Sequence, residues 1–195
     1  VAAHLERERV AIYVNGNNKR GIGHIYRALE MADEFYTKPD IYYDANQTDP
    51  KVFGRTTHTL IGVDGIADLF QRVKGQGYTL FINDILTTSI DYMVGLRSVL
   101  PEDCKVVNFE DDGEGTTKAD LVFNALYAED DAPNVRAGER YYIASKTFLC
   151  YEPIEIKEHV GRVFVSFGGA DPQNYSDRLL AIVAGDPERY PHKRF

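Results

Sequence analysis

From Val10 onward the chain alternates short, nearly continuous apolar runs with stretches of helical period, and few architectures accommodate that alternation. The apolar runs are AIYV (11–14), DIYYDA from Asp40, HTLIGV from His58, YTLFIND from Tyr78, KVVNFED from Lys105, ADLVFNAL from Ala119 and RYYIAS from Arg140. Between them, the stretch from His24 to Phe35 places Ile25, Leu29, Met31, Ala32 and Phe35 broadly on one helical face. GIADLFQRVKGQG from Gly65 is amphipathic and closed by glycine, and SIDYMVGLRSVL has helical period. Strands alternating with helices predict an α/β domain with a parallel sheet and helices on both faces, spanning 10–155.

The ends of the chain depart from that pattern. Residues 1–9 alternate charges with few apolar anchors and read as a lead-in or linker that would join a domain upstream. Pro133 and Pro153 break the alternation, after which RVFVSF from Arg162 leads through GGADPQN into a helix reaching about Val183. Residues 160–195 therefore read as the start of a second α/β domain, truncated because too few residues remain to close one.

With 44% hydrophobic residues the chain has enough apolar surface for a core, so disorder is excluded. A net charge of −8 argues against a nucleic-acid partner, whose phosphates would need a basic face. No apolar run approaches the roughly 20 residues that span a bilayer. The charged N-terminus lacks the apolar core of a signal peptide, so no stable membrane insertion and a reducing, cytoplasmic setting are expected. Cys104 and Cys150 lie in apolar surroundings and read as buried free thiols. His4, His58, His159 and His192 have no partner at metal-ligand spacing and read as surface or strand-end residues.

Two glycine loops carry the strongest local signals. In Asn15-Gly-Asn-Asn-Lys-Arg-Gly-Ile-Gly-His-Ile-Tyr-Arg, Gly21 and Gly23 allow the backbone close to a ligand at a helix start. His24 falls at that helix N-terminus, a place that suits a neutral imidazole acting as a water-activating base. The spacing is not G-x-G-x-x-G, because Tyr26 stands where the third glycine would be, and a solvated capping histidine explains the same residues. In Phe167-Gly-Gly-Ala-Asp-Pro-Gln-Asn, Gly168 and Gly169 free the backbone and Asp171 suits a helix N-cap, which would seat a diphosphate or merely cap a helix. Asn83 and Asp84, then Glu110, Asp111, Asp112 and Glu114, follow strand ends, where open α/β sheets place their ligand crevice. They would bind sugar hydroxyls or an amino group, or assist His24. The acids after Lys105 fit no calcium-loop template and read as a solvated loop without metal.

GIGHIYRALEMADEF and VFVSFGGADPQN resemble the corresponding segments of the UDP-sugar hydrolase of pseudaminic acid biosynthesis and its SpsG-type spore-coat polysaccharide relatives, with NFEDDGEGTTKADLVFNALY most like the latter. These belong to the two-domain class that includes the MurG-like glycosyltransferases. The resemblance implies a GT-B-type arrangement of two Rossmann-like domains, this chain carrying the first and the start of the second. It further implies attack of water on the anomeric carbon of a UDP-sugar without metal or other cofactor. Carried over by motif, His24 is the candidate base; Asp84, from its place after a strand end, is the second catalytic candidate. By the same motif Gly21 and Gly23 shape the loop and Arg27 anchors the helix start or an anion, while Asn83, Glu110 and Asp111 are candidates for substrate binding from their strand-end positions. Gly168, Gly169 and Asp171 are the candidates for the nucleotide. Where the hydrolase has an aspartate followed shortly by a tyrosine, this chain reads Ile82-Asn-Asp-Ile-Leu-Thr, with Leu86 in the tyrosine's place. Transfer to an acceptor hydroxyl and sugar-nucleotide binding without turnover are the alternatives.

Overall fold

The computed structural model describes residues 8–16, 21–127, 132–155, 157–159, 163–168, 171 and 173–185. The sheet has seven strands: β1 (Val10–Val14), β2 (Asp40–Asp44), β3 (Thr59–Val63), β4 (Leu80–Asp84), β5 (Lys105–Phe109), β6 (Leu121–Asn124) and β7 (Val135–Ala137). Their spatial order is β3-β2-β1-β4-β5-β6-β7, and every neighbouring pair runs parallel. This is a Rossmann-like α/β fold, consistent with a GT-B-type domain.

The first strand lies inside the sheet, next to central β4, and its side chains suit burial on both faces: all five residues of β1 are buried. Val10, Ile12 and Val14 face Ile25, Ala28, Met31 and Ala32 of helix α1 (Gly23–Ala32). Ala11 and Tyr13 face the opposite way, toward Leu69 and Val73 of α2 (Gly65–Val73) and Tyr92, Met93 and Leu96 of α3 (Ile90–Val99). Crossover handedness explains this split. The step from β1 to β2 moves toward one edge, whereas β3 to β4 and β4 to β5 move toward the other, so right-handed connections lay α1 on one face and α2 and α3 on the other.

Several expectations are corrected. RYYIAS is not a strand: Glu139–Tyr141 forms a short 3-10 turn, and the last strand is Val135–Ala137. Gly138, at φ 101°, turns the chain out of the sheet before Arg140 is reached. Among the described residues 163–168 carry no strand either, because no neighbouring strand supplies the hydrogen bonds. Helix α4 (Tyr175–Gly185) follows and has no buried residue. Cys104 is buried and burial pushes its thiol up to about 11, but Cys150 is exposed, in a 3-10 turn outside the sheet. His58 does stand at a strand end, directly before β3, but it is buried, with Nε2 2.8 Å from Asp33 Oδ1. Among the described residues no helix is long and apolar enough to cross a membrane.

Candidate functional site

Strand order reverses between β1 and β4, since β1 sends its chain toward β2 and β4 sends its chain toward β5. The loops beyond such a pair diverge to opposite faces and leave a crevice. Register makes the two loops level: Val14 lies opposite Asp84, so both strands end at the same height. A cavity of about 320 Å³ opens there, lined by Tyr13, Asn15, Gly16, Gly21 and His24 from the β1 side, by Ile85, Leu86 and Thr87 from the β4 side, and by Gln47 and Ile66. Gly21 has φ 104°, a conformation that side chains rarely adopt, so glycine is required where the first loop turns into α1.

Behind His24, which lines this crevice, lies an interlocked charge cluster. His24 is the second residue of α1, and Arg27 lies one turn on, so both side chains project from the same helical face toward the end of β4. Nδ1 of His24 meets Oδ1 of Asp84, whose side chain is fully buried. The Arg27 guanidinium grips the same carboxylate side-on, Nε donating to Oδ2 at 2.8 Å and Nη2 donating to Oδ1. Its remaining nitrogen, Nη1, lies 3.6 Å from Glu110 Oε1. Burial acts to weaken Arg27's hold on its proton, but the hydrogen bonds and charges of Asp84 and Glu110 outweigh it and hold the guanidinium above its ordinary value. Among the described residues Nε2 of His24 makes no hydrogen bond, leaving that nitrogen for whatever enters the crevice.

The sequence-predicted residues separate into two groups. Gly21 and His24 line the cavity, Gly23 opens α1, and Asp84 and Arg27 lie directly behind the histidine. Arg27 is committed to the carboxylates of Asp84 and Glu110, and so ties the start of α1 to the ends of β4 and β5. Asn83 and Asp111 lie deeper, outside the lining of the cavity. Asn83 is 1% exposed, donates to Asn108 Oδ1 at 2.9 Å and accepts from the Tyr92 hydroxyl at 2.6 Å. Asp111 accepts from the Thr88 backbone, the Thr88 hydroxyl, Asn108 Nδ2 and the Gly113 backbone. Glu110 is also buried, so the acids of this loop are not a solvated face; only Asp112 and Glu114 are exposed. A buried carboxylate requires this many donors, and the network ties the loops after β4 and β5 together. Among the described residues no group of three His, Cys, Asp or Glu side chains is arranged to hold a metal ion.

Sequence reading missed Tyr13, Asn15, Gln47 and Thr87 as cavity residues. Asn15 had a usable signal, because it is the first residue beyond the central strand. Its amide donates to the Tyr13 hydroxyl and accepts the Asp44 backbone N–H at 2.8 Å, bracing the wall. Leu86 is half-exposed at φ 66°, a left-handed conformation uncommon for leucine.

In the second glycine loop Gly168 has φ 77°. Asp171 accepts the Tyr175 and Ser176 backbone N–H groups, each at 2.9 Å, and the Ser176 side chain together with these amides holds its carboxyl below the usual range. It therefore caps α4 from four residues before the helix, not from the adjoining position. Gly169 lies outside the described residues.

No protein-family model matches the chain. It is similar to the spore coat polysaccharide biosynthesis protein SpsG of Bacillus subtilis, with 23% identity over 192 residues that cover 92% of this chain and 56% of that protein. It is also similar to the Methanocaldococcus jannaschii protein MJ1062, with 22% identity over 191 residues covering 88% of this chain and 39% of that protein. The chain thus spans about half the length of the curated relatives it matches, or less.

Proposed function

We propose that the protein acts on a nucleotide sugar in polysaccharide biosynthesis, and that it hydrolyses a UDP-amino-sugar to UDP and the free sugar with His24 as the base. The observation that carries this reading is the grip of buried Asp84 on Nδ1 of His24, which lines a crevice where the strand order reverses. An imidazole held through Nδ1 offers Nε2 to a water molecule. As that water attacks the anomeric carbon, its proton passes to Nε2, and the bond from carbon to the diphosphate oxygen breaks with its electron pair leaving on UDP. Asp84 stabilises the imidazolium that forms. The name of the Bacillus subtilis relative supports the polysaccharide setting, and it supports hydrolysis no more than transfer.

The nucleotide is assigned to the second unit, beginning at about residue 160, with Gly168, Gly169 and Asp171 at the diphosphate. The cytoplasm, where nucleotide sugars are made, is its proposed location. Leu86, half-exposed in the crevice where the resembled hydrolase carries a tyrosine, favours a second reading in which an acceptor hydroxyl replaces water.

Incubating the full-length natural protein with UDP-amino-sugars separates these readings. UDP plus a reducing sugar without acceptor supports hydrolysis; turnover only with an acceptor supports transfer; binding with neither overturns both. A positioned base contributes about 10²–10⁴-fold in rate, so His24→Asn should lower kcat by that factor with little change in UDP affinity. Retention of more than about a third of the wild-type rate would remove His24 from the role of base.

A further inference from the structure

Nδ1 of His24 has two neighbours whose demands conflict. Oδ1 of the Asp84 carboxylate can only accept, so it needs a proton on Nδ1. Nη2 of Arg27, 3.0 Å away, can only donate, so directed at the ring it would need Nδ1 bare. Both cannot hold together. The conflict disappears when Nη2 points its hydrogen at Asp84 Oδ1, which it also reaches. The proton then stays on Nδ1 and the lone pair on Nε2, the arrangement a base acting in the crevice requires.

The guanidinium keeps that direction only while its other nitrogens are anchored. Nε is held by Asp84 Oδ2, and Nη1, on the far side of the fork, faces Glu110. The Arg27 and Glu110 side chains are 12% and 5% exposed, so little water is available to replace either partner. Glu110 itself has little freedom. Its carboxylate oxygens accept the Ala125 and Leu126 backbone N–H groups at 3.0 and 3.2 Å, and its own backbone N–H donates to Phe123 at 2.8 Å. Its φ of 49° is left-handed, a conformation that glutamate adopts rarely and that aims this side chain from the end of β5 back toward α1.

We infer that Glu110 is a positioning residue: by drawing Nη1 away from the ring it locks the Arg27 fork onto Asp84, and so decides which nitrogen of His24 carries the proton. This rests on the reading of His24 as the base and replaces the direct substrate contact expected for Glu110.

Long-range proton–nitrogen correlation NMR on the ¹⁵N-labelled protein, recorded where the ring's own cross-peaks show it neutral, reads the His24 tautomer directly. The wild-type protein should show the Nδ1–H form. Glu110→Gln retains an oxygen for the Ala125 N–H but removes the charge facing Nη1, and should convert a large share of His24 to the Nε2–H form. Its kcat should fall by about tenfold or more with KM changed less than about twofold. Arg27→Lys, which keeps the charge and abolishes the fork, should shift the tautomer in the same direction.

An Nε2–H signal in the wild-type protein overturns the inference without any variant, and covers the case in which Glu110→Gln does not fold. A folded Glu110→Gln that keeps the Nδ1–H form overturns it as well. A tautomer shift with unchanged hydrolysis upholds the positioning role and instead refutes His24 as the base, so the two failures are distinguishable.

Discussion

Asp111 satisfies four donors at once, the backbone amides of Thr88 and Gly113 among them. Replacing it with alanine leaves those donors buried without a partner, at about 1–3 kcal/mol for each that finds no water. Asp111→Ala should therefore lower stability in urea unfolding by at least about 2 kcal/mol. An effect under half of that would show that the loop repacks. The cysteines give a second check at this scale. Because Cys104 is buried with its thiol pushed up, and Cys150 is exposed, a thiol reagent at pH 8 should label Cys150 in the native protein and Cys104 only after unfolding. Equal labelling of both would contradict the burial of Cys104. Neither difference was legible in the sequence, where Val106 and Val107 near one cysteine look much like Phe148 and Leu149 near the other. Apolar neighbours report burial only when the segment itself is held in the sheet.

The loop between β5 and β6 turns inward because two glycines bring its backbone against another loop. A Cβ on Gly113 would stand 2.1 Å from the Thr88 carbonyl oxygen, and one on Gly115 2.3 Å from the Thr88 hydroxyl. Gly113 has φ −81°, so close approach and not unusual backbone is what requires glycine there. Gly113→Ala should cost about 1–3 kcal/mol or more, by thermal or urea unfolding, and disturb the crevice through the Thr87 and Thr88 loop. Asp120, between the same two strands, ties the element to α3. Burial alone would raise its carboxyl, but the Val106 backbone N–H at 2.8 Å and the Arg97 guanidinium outweigh burial and lower it from 3.8. Because the folded value lies below the unfolded one, its contribution is present above about pH 4 and is lost as pH falls through the folded value. Asp120→Asn should be less stable than the wild-type protein at pH 7, with the difference shrinking below about pH 4; a constant difference across that range would refute the ion-linked contribution.

Across the whole molecule, protection should follow the sheet. β1, β4 and β5 form its middle, while Phe148, Leu149, Tyr151 and Ile154 are 68–88% exposed beyond the last strand. Limited proteolysis should therefore cut first within 148–155 and leave a fragment containing all seven strands with native-like circular dichroism. Early cleavage inside 80–124 would contradict the fold. The face opposite α2 and α3 also holds an apolar groove of about 380 Å³, where Leu80, Ile82, Val107, Phe109 and Phe123 meet Met31 and Phe35. Crossover handedness accounts for it: successive steps from β3 toward β7 place their connections on the other face, leaving α1 and the segment around Ile143 to cover this one.

The sequence by itself determined the α/β class, six of the seven strands to within a few residues and the loop that carries His24, because local apolar period and glycine placement are written in consecutive residues. Only the tertiary structure decided the strand order, and with it the meeting of His24, Arg27, Asp84 and Glu110 from α1, β4 and the end of β5. It also decided that 135–137 and not 140–145 closes the sheet, and that Asn83 and Asp111 brace the crevice instead of lining it. A strand exists only where a neighbour supplies its hydrogen bonds, and a polar side chain is free or occupied according to partners tens of residues away. Neither condition can be read from the residues on either side.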